Sequence, residues 1–312
     1  MPESFGVAEA GGGTERTIAL PKAELAVWEW GEPDGRPLLF LHSGTPAGNG
    51  RSFAELAPVL ASEYGLRVIA PDLPGYGESP AVPIHAYDPR WMADLAAELL
   101  DALEIERTSY VGASWGGSIG CQMAVRHGER IDSLVLLDAG YQDLVDLPDF
   151  AQLTDLLTLT EVMQGADAGL RFGSWDEAVA GLRADTTRWS PALEEAWRAG
   201  MVEQDGGVRS KISGEIWGAV LHGIVDAPCL PTFPAIRALG VPVLLLTATL
   251  PAEEQPLRER CIERFLAAVP DAEVRRVEGA QHDLVGEVGP PLAQLLGEWL
   301  REAGTAASSA RV

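Results

Sequence analysis

One short stretch decides the fold, Gly112-Ala113-Ser114-Trp115-Gly116-Gly117. It fits the pattern G-x-S-x-G, with a predicted strand, 108–111, before it and a helical pattern after it. A sharp strand-to-helix turn strains the residue at its apex and pushes that side chain out of the sheet, and small neighbours let the backbones pass closely. The sequence therefore predicts Ser114 at the carboxyl edge of a sheet, at a helix N-terminus that favours a developing anion. The alternative is a glycine-rich junction whose serine only caps the helix.

Strand and helix patterns alternate on both sides of this turn. Repeated alternation of this kind indicates a mainly parallel sheet covered by helices on both faces. We therefore predict an α/β fold with an eight-stranded sheet. The predicted strands are 14–20, 24–31, 37–41, 67–70, 108–111, 134–137, 241–247 and 272–277, and the clearest helices are 51–63, 88–104, 115–128 and 291–300.

The alternation fails between residues 140 and 237, where the chain holds helical segments and no convincing strand. This stretch reads as a helical cap inserted after the sixth strand. The predicted organisation is a core of residues 14–140 and 236–303, a lid of residues 141–235, and flexible tails at 1–13 and 304–312.

Composition excludes several functions. The chain of 312 residues has 46 acidic and 23 basic residues, a net charge of −23. This balance has the wrong sign for binding nucleic acid or an anionic membrane. The sequence shows neither a leader pattern nor a long apolar run, which predicts a cytoplasmic protein. Three dispersed cysteines argue against a disulfide framework, and we expect neither a metal nor a cofactor. Composition leaves the oligomeric state open.

A serine hydroxyl needs a general base, and the chain has five histidines. His282 follows the final strand, which brings it to the same sheet edge as Ser114, so we expect it to be the base. His42 ends an earlier strand and is interpreted as part of a loop scaffold.

An acyl-transfer site also needs donors for an oxyanion. The backbone N–H of Trp115 follows the nucleophile at the helix start. We expect the second donor in the loop after the strand 37–41, from the N–H of Gly44 or Thr45.

With these residues in place, the chain resembles the α/β-hydrolase superfamily over roughly 14–300. The oxyanion loop has Ser43 where glycine is usual, and the histidine loop has Gln281 where glycine is common. The family also implies that the insertion covers the site as a helical lid. The motifs that carry the resemblance are the loop 42–48, the turn Asp72-Leu73-Pro74-Gly75-Tyr76-Gly77-Glu78-Ser79, the turn 112–117 and Ala280-Gln281-His282.

The chain departs from the family at the third member of the triad. Most members place an acid in a turn after the strand equivalent to 241–247, where this chain has Pro251. Asp138, at the end of the strand 134–137, is the favoured replacement, because some members place the acid there and the His282 ring would offset its desolvation. Glu253 or Glu254 is an alternative, although both read as the acidic first turn of a helix. A third possibility is that the chain has no functional triad acid.

The lid carries the clearest signal about substrate, since four of the nine tryptophans lie in it. They favour an apolar or aromatic small-molecule ester or lactone. We expect Trp175, Trp217 and His222 to line the pocket.

These observations predict a serine hydrolase that cleaves such a substrate through an acyl-enzyme intermediate. An aminopeptidase or a hydrolase of carbon–carbon bonds uses the same scaffold, and the acidic residues of the lid would suit a substrate ammonium group. An alternative of another class is a non-catalytic binding protein on a hydrolase scaffold.

Overall fold

A computed structural model describes residues 12–148, 150–153, 155–168 and 170–309. Its eleven strands form two sheets. The large sheet contains β1 (Thr14–Ala19), β2 (Glu24–Trp30), β3 (Arg36–Leu41), β4 (Leu66–Pro71), β5 (Thr108–Ala113), β6 (Ile131–Leu137), β10 (Val243–Ala248) and β11 (Glu273–Val277). The small sheet contains β7 (Arg171–Phe172), β8 (Met201–Gln204) and β9 (Gly207–Ser210).

The eight strands of the large sheet are ordered β1-β2-β4-β3-β5-β6-β10-β11. Strand β2 pairs antiparallel with both of its neighbours, and the remaining pairs are parallel. The predicted eight-stranded, mainly parallel sheet is therefore confirmed.

Helices cover both faces of this sheet, and others lie in the segment between β6 and β10. The described helices are α1 (Ala57–Tyr64), α2 (Pro89–Ala102), α3 (Trp115–Arg126), α4 (Leu156–Ala168), α5 (Trp175–Asp185), α6 (Pro191–Ala199), α7 (Gly214–Asp226), α8 (Phe233–Ala238), α9 (Gln255–Ala268), α10 (Leu284–Val288) and α11 (Pro290–Ser309).

Each buried strand contributes side chains to two separate apolar cores, one on each face of the sheet. Along β3, Leu39 and Leu41 pack with α2, α3, α8 and α9 on one face, while Leu38 and Phe40 pack with α1, α10 and α11 on the other. Successive side chains of a strand point to opposite faces, so a continuous apolar run fills both cores. This is why runs such as 37–41 predicted central strands correctly.

The predicted lid, residues 141–235, is mostly helical and contains α4 to α7, but it also holds the small sheet, ordered β7-β9-β8. The expectation that no strand lies between residues 140 and 237 was therefore wrong. Asp205 and Gly206 join β8 to β9, and both have positive φ angles (56° and 78°). An Asp-Gly dipeptide is a strong hairpin signal, because a two-residue turn of this kind needs left-handed backbone at both positions. The dipeptide was the available clue to these strands.

The C-terminal end also differs from the prediction. Helix α11 continues to Ser309, whereas the sequence predicted a helix ending at Leu300 and a tail from 304. Alanine, arginine and glutamate after position 300 are good helix formers, so the helix extends beyond its apolar stripe. Of the predicted tails 1–13 and 304–312, residues 1–11 and 310–312 lie outside the described residues.

Within the described part of the chain, no single helix has the length and apolarity needed to cross a membrane. One pair of helical segments, Gly214–Asp226 and Leu230–Ala238, passes that test together but is bent by 49° at the break between them. The same residues contain no group of three or more His, Cys, Asp or Glu side chains placed to hold a metal ion.

Candidate active site

Ser114 lies at the turn between β5 and α3. Its φ of 52° and ψ of −112° are rare for a residue with a side chain and indicate backbone strain at a functional position. The glycines on either side make this turn possible. A Cβ on Gly112 would lie 2.3 Å from the Gly116 carbonyl oxygen, and one on Gly116 would lie 2.2 Å from that of Leu41. The sequence pattern thus requires small residues where β3, β5 and α3 meet.

His282 follows β11 and reaches the same edge of the sheet. Its Nε2 lies 2.9 Å from Ser114 Oγ, and its Nδ1 lies 2.8 Å from Asp138 Oδ2. An ionised carboxylate only accepts hydrogen bonds, so Nδ1 carries the proton and Nε2 is free to accept from the serine hydroxyl. Half of the His282 side chain is exposed, which gives a substrate access to this pair.

Asp138 follows β6 directly, with a φ of 46° and a fully buried side chain. Its Oδ1 accepts hydrogen bonds from the Tyr141 hydroxyl and the Ala248 N–H, both at 3.1 Å. Arg258 Nη1 lies 2.7 Å from both carboxylate oxygens. Burial alone would raise the pKa of this carboxyl, but the contacts with His282 and Arg258 outweigh it and hold the pKa below its ordinary value. Asp138 is therefore an ionised carboxylate bound to the ring of His282.

The alternative acids lie elsewhere. Glu253 and Glu254 belong to a short 3₁₀ helix, Ala252–Glu254, that precedes α9. The Glu254 carboxylate lies 2.8 Å from Arg258 Nη2. Glu254 thus contacts the arginine that holds Asp138, while Asp138 contacts the histidine. Of the acids weighed from the sequence, the structure brings Asp138 to His282.

Arg258 was missed by the sequence analysis. It stands four residues after Glu254, and a pair at that spacing is typical of an exposed helix surface. Only the pairing of β6 with β10, which sets α9 beside Asp138, reveals its partner.

The predicted oxyanion donors lie next to each other. Trp115 is the first residue of α3, where a backbone N–H has no acceptor within the helix. A Cβ placed on Gly44 would lie 3.3 Å from Trp115 Cβ, and the Gly44 carbonyl accepts from the Tyr76 hydroxyl at 2.8 Å. Thr45 Oγ1 lies 2.9 Å from Ser43 Oγ. The loop after β3 is thus held against the start of α3, and the donor role of these N–H groups stays a prediction.

His42 supports this loop. Its Nε2 accepts from the Leu73 N–H at 2.9 Å, which leaves the proton on Nδ1 for the Ser43 carbonyl at 2.8 Å. Burial lowers the pKa of His42 to about 4, so the ring is neutral. It links the loop after β3 to the turn after β4, the scaffold role that the sequence predicted.

A cavity of about 220 Å³ adjoins these residues. Ser43, Thr45, Ala113 and Asp283 belong to its wall. Ala113 and Asp283 are the chain neighbours of Ser114 and His282, so the cavity lies next to the site although neither Ser114 nor His282 lines it. The rest of the wall is mainly apolar and comes from the core and the lid: Phe53, Leu182, Trp189, Leu193, Trp197 and Val285.

The predicted pocket residues are in other places. The described residues that line this cavity do not include Trp175, Trp217 or His222. The Trp175 ring packs against the Arg198 guanidinium at 4.9 Å, Trp217 packs against the main core from α7, and His222 is half-buried on the same helix. The lid tryptophans at the cavity are Trp189, which precedes α6, and Trp197, near the end of α6. Both also pack in the small apolar cluster formed by Ala178, Val179, Met201 and Val208. Sequence counting showed that the lid is rich in tryptophan but not which of them points inward.

Among the described residues that line the cavity, three are charged: Arg188, Asp283 and Glu287. Arg188 forms a two-pronged ion pair with Glu55, with Nη1 3.0 Å from Oε1 and Nη2 on Oε2, and its Nε donates to the Gly286 carbonyl at 3.0 Å. The cation is therefore already matched by an anion of the core. What remains is a wall that is apolar with a slight acidic balance.

Comparison with known proteins adds the family context. A family model described as the alpha/beta hydrolase fold matches residues 36–287. The 2-hydroxymuconate semialdehyde hydrolase of Pseudomonas sp. (strain CF600) is 31% identical over 212 residues, which cover 62% of this chain and 71% of that protein. Epoxide hydrolase A of Mycobacterium tuberculosis (strain ATCC 25618 / H37Rv) is 37% identical over 129 residues, 41% of this chain and 39% of that protein.

Solved structures agree on the architecture. The crystal structure of E-2-(acetamidomethylene)succinate hydrolase matches with a TM-score of 0.71 and covers 93% of this chain and 98% of that one. The two sequences are 20% identical, so this likeness shows the fold alone.

Proposed function

The chain belongs to the alpha/beta hydrolase family, and from that premise we propose that it is a serine hydrolase cleaving a carboxylic ester or lactone of an apolar or aromatic small molecule. The observation that carries the proposal is the relay from Ser114 Oγ through His282 to Asp138, with contacts of 2.9 Å and 2.8 Å. A hydroxyl, an imidazole and a buried carboxylate in this order form the arrangement that activates serine for attack on a carbonyl.

In the proposed reaction, Ser114 attacks the carbonyl carbon while His282 accepts the hydroxyl proton. Asp138 orients the ring and stabilises the imidazolium that forms. The N–H groups of Trp115 and of Gly44 or Thr45 hold the oxyanion. His282 then protonates the leaving alcohol, and water releases the acyl group by the same steps in reverse.

The identity of the nucleophile separates this chemistry from that named for some relatives. If a serine attacked an epoxide or an alkyl halide, the product would be an ether, which water does not cleave under these conditions. Attack on a carbonyl gives an acyl ester, which water does cleave. Ser114 therefore supports acyl transfer, although an epoxide hydrolase is among the relatives.

The cavity supports a neutral substrate. Its described wall is dominated by aromatic and aliphatic side chains, and the arginine among them, Arg188, is paired with Glu55. Asp283 and Glu287 add negative charge. A substrate carboxylate would have to face these acids without a free cation, whereas an uncharged ester or lactone would meet apolar surface.

A second candidate is a hydrolase of carbon–carbon bonds. Its support is the likeness to the 2-hydroxymuconate semialdehyde hydrolase, which extends over 62% of this chain. A hydroxymuconate carries a carboxylate, and the acidic balance of the cavity wall counts against that substrate. We therefore place this candidate second.

Labelling with a fluorophosphonate probe tests the nucleophile directly. The probe should modify Ser114 in the wild-type protein, as located by mass spectrometry, and label nothing in Ser114→Ala. Ser118→Ala is a matched control on the same helix and should label like wild type. A wild-type protein that is inert to the probe and to p-nitrophenyl esters would contradict the proposal.

A substrate panel decides the bond that is cleaved. We expect turnover of neutral aryl or medium-chain esters and lactones, with kcat/KM well above that for 2-hydroxymuconate semialdehyde or for amino-acid anilides. Preference for the semialdehyde would favour the second candidate, and preference for the anilides would indicate an aminopeptidase.

A further inference from the structure

Arg258 and Asp138 form the most deeply buried ion pair described beside the candidate site. The arginine side chain is 4% exposed and the aspartate side chain 0%. Burying two charges is costly unless they pair closely, and these lie 2.7 Å apart with Arg258 Nη1 touching both oxygens. A Ser-His-Asp arrangement needs no such cation, so the presence of Arg258 calls for a role.

We propose that Arg258 is a positioning residue that orients Asp138 and compensates its charge, so that the Ser114–His282 pair stays active at lower pH than it would beside an uncompensated carboxylate. The proposal rests on the proposed function and deepens it by assigning a determinant of the pH range.

The contacts explain the orientation. Asp138 Oδ1 receives the Tyr141 hydroxyl, the Ala248 N–H and Arg258, and Oδ2 receives His282 and Arg258. Arg258 thus bridges Oδ1 and Oδ2, while the Ala248 N–H and the Tyr141 hydroxyl hold Oδ1. Rotation of the carboxylate would break several of these bonds at once, so the oxygen facing His282 stays in place.

Charge explains the effect on pH. With neutral His282, the pair of Asp138 and Arg258 sums to zero. Protonation of His282 then adds a positive charge, which the Asp138 carboxylate attracts and the Arg258 guanidinium, a few ångströms farther away, repels. Without Arg258, the imidazolium would face an unopposed anion and be stabilised more strongly. The arginine therefore opposes premature protonation of the base.

The other groups around this cluster leave that balance intact. Burial, with Asp138 beside it, raises the pKa of Tyr141 and keeps the phenol neutral, and burial raises the pKa of the Cys261 thiol. Glu254 contacts Arg258 on its outer side, 36% exposed. On the histidine loop, Asp283 caps α10 through Gly286 N–H, and Glu287 accepts from the Gln281 N–H. These acids are present with or without Arg258.

The test compares Arg258→Met with Arg258→Lys, which keeps the charge. Arg264→Met is the matched control, since Arg264 lies on the same helix and pairs with Asp146. We would measure the pH dependence of kcat/KM for a p-nitrophenyl ester. The acidic limb should move to higher pH by about one unit in R258M, return close to wild type in R258K, and stay unchanged in R264M. An unshifted limb in folded R258M would overturn the proposal.

Because R258M removes a buried charge partner, a second variant covers the case in which it does not fold. Glu254→Gln removes the outer anion of Arg258 and keeps the arginine. It leaves the guanidinium less compensated, so the acidic limb should move the other way, to lower pH by a few tenths of a unit. A shift to higher pH in E254Q would contradict the proposed electrostatics.

An NMR titration separates this inference from the proposed function. The Cε1–H resonance of His282, assigned with His282→Ala, reports protonation without any turnover. If Ser114 proves inert to the probe but the His282 midpoint rises in R258M, the hydrolase proposal fails and the role of Arg258 stands. If Ser114 is labelled and the midpoint is the same in R258M as in wild type, the role of Arg258 fails and the hydrolase proposal stands.

Discussion

Asp72 and Asp138 follow two strands of the same sheet at the same edge, and both are buried, with exposures of 2% and 1%. Their surroundings nevertheless move their pKa values in opposite directions. Asp72 accepts from the N–H groups of Gly50 and Glu78 at 2.6 Å and 2.8 Å. Burial outweighs these bonds and raises its pKa to about 6.

Asp138 differs because charged or chargeable groups touch it. His282 and Arg258 both contact its carboxylate, and together they lower its pKa despite equal burial. Two similarly placed aspartates thus have different roles. Asp72 ties the turn after β4 to the loop before α1, whereas Asp138 keeps a negative charge in place beside an imidazole. The lesson is that a cation in contact, more than depth of burial, decides whether a carboxyl stays ionised.

The largest expected effect is a difference in catalytic activity between variants of Asp138 and Asp72. Asp138→Asn should lower kcat for an ester by about 10⁴-fold, as loss of the orienting carboxylate does in other triads. Asp72→Asn should lower it by less than about tenfold, because Asp72 acts only through loop structure. Steady-state kinetics on both purified variants would measure this. A mild D138N combined with a crippled D72N would reverse the comparison.

The second prediction uses the pH dependence of stability. Asp72 has a folded pKa of about 6 against an ordinary 3.8, so the native state binds more protons between about pH 4 and 6 and loses stability as pH rises through that window. The loss should be on the order of 3 kcal/mol. The folded pKa of Asp138 is lowered, so its contribution is present above about pH 4 and is lost as pH falls below it.

Urea unfolding at several pH values would measure both contributions as differences between wild type and variant. As the pH rises from 4 to 6, the free energy of unfolding of wild type minus that of D72N should decrease. Over the same pH range the difference in free energy of unfolding between wild type and D138N should stay constant. It should decrease only as the pH is lowered below about 4. Parallel curves for the two variants would mean that the two aspartates have the same ionisation behaviour.

A smaller effect is expected from Tyr141→Phe. The Tyr141 hydroxyl donates to Asp138 Oδ1 at 3.1 Å in a buried setting, and a hydrogen bond to a charged group contributes about 1.5–3 kcal/mol. Three other donors remain on Asp138, so the loss should be near the lower end, with kcat reduced only a few-fold. Tyr110→Phe removes a buried hydroxyl of β5 that donates to the Gly116 carbonyl of α3, and it is a control for loss of a hydroxyl whose hydrogen bond is not to the carboxylate.

Glu254→Gln should have the smallest effect. Its partner Arg258 is buried, but Glu254 is 36% exposed, and ion pairs of this kind contribute less than about 1 kcal/mol. We expect kcat within about twofold of wild type at its optimal pH. A loss comparable to that of D138N would identify Glu254 as the functional acid and remove the distinction on which the comparison rests.

Much of the core could be predicted from the sequence because its signals are local. Apolar runs, the glycines around Ser114 and a histidine after the last strand each specify their surroundings within a few residues. Asp138 was favoured for its place at the end of a strand and by a family resemblance.

The remaining features depend on contacts between distant segments. Arg258 meets Asp138 across 120 residues, and no local pattern distinguishes it from a surface arginine. The choice of Trp189 and Trp197 over Trp175 and Trp217 depends on how lid helices face the core, which composition does not reveal. The small lid sheet did have a local signal, Asp205-Gly206, but its strands of two to four residues are too short to show alternation.

The insertion of the lid between β6 and β10 has a consequence for the time course of folding. Val243 pairs with Leu134, and His282 reaches Asp138 and Ser114 across 144 and 168 residues. Contacts this far apart in sequence form late, since the chain between them must first be confined. We therefore expect a refolding chain to regain its helices before His282 reaches Ser114. If Ser114 is the nucleophile, recovery of probe labelling should lag behind recovery of helical content.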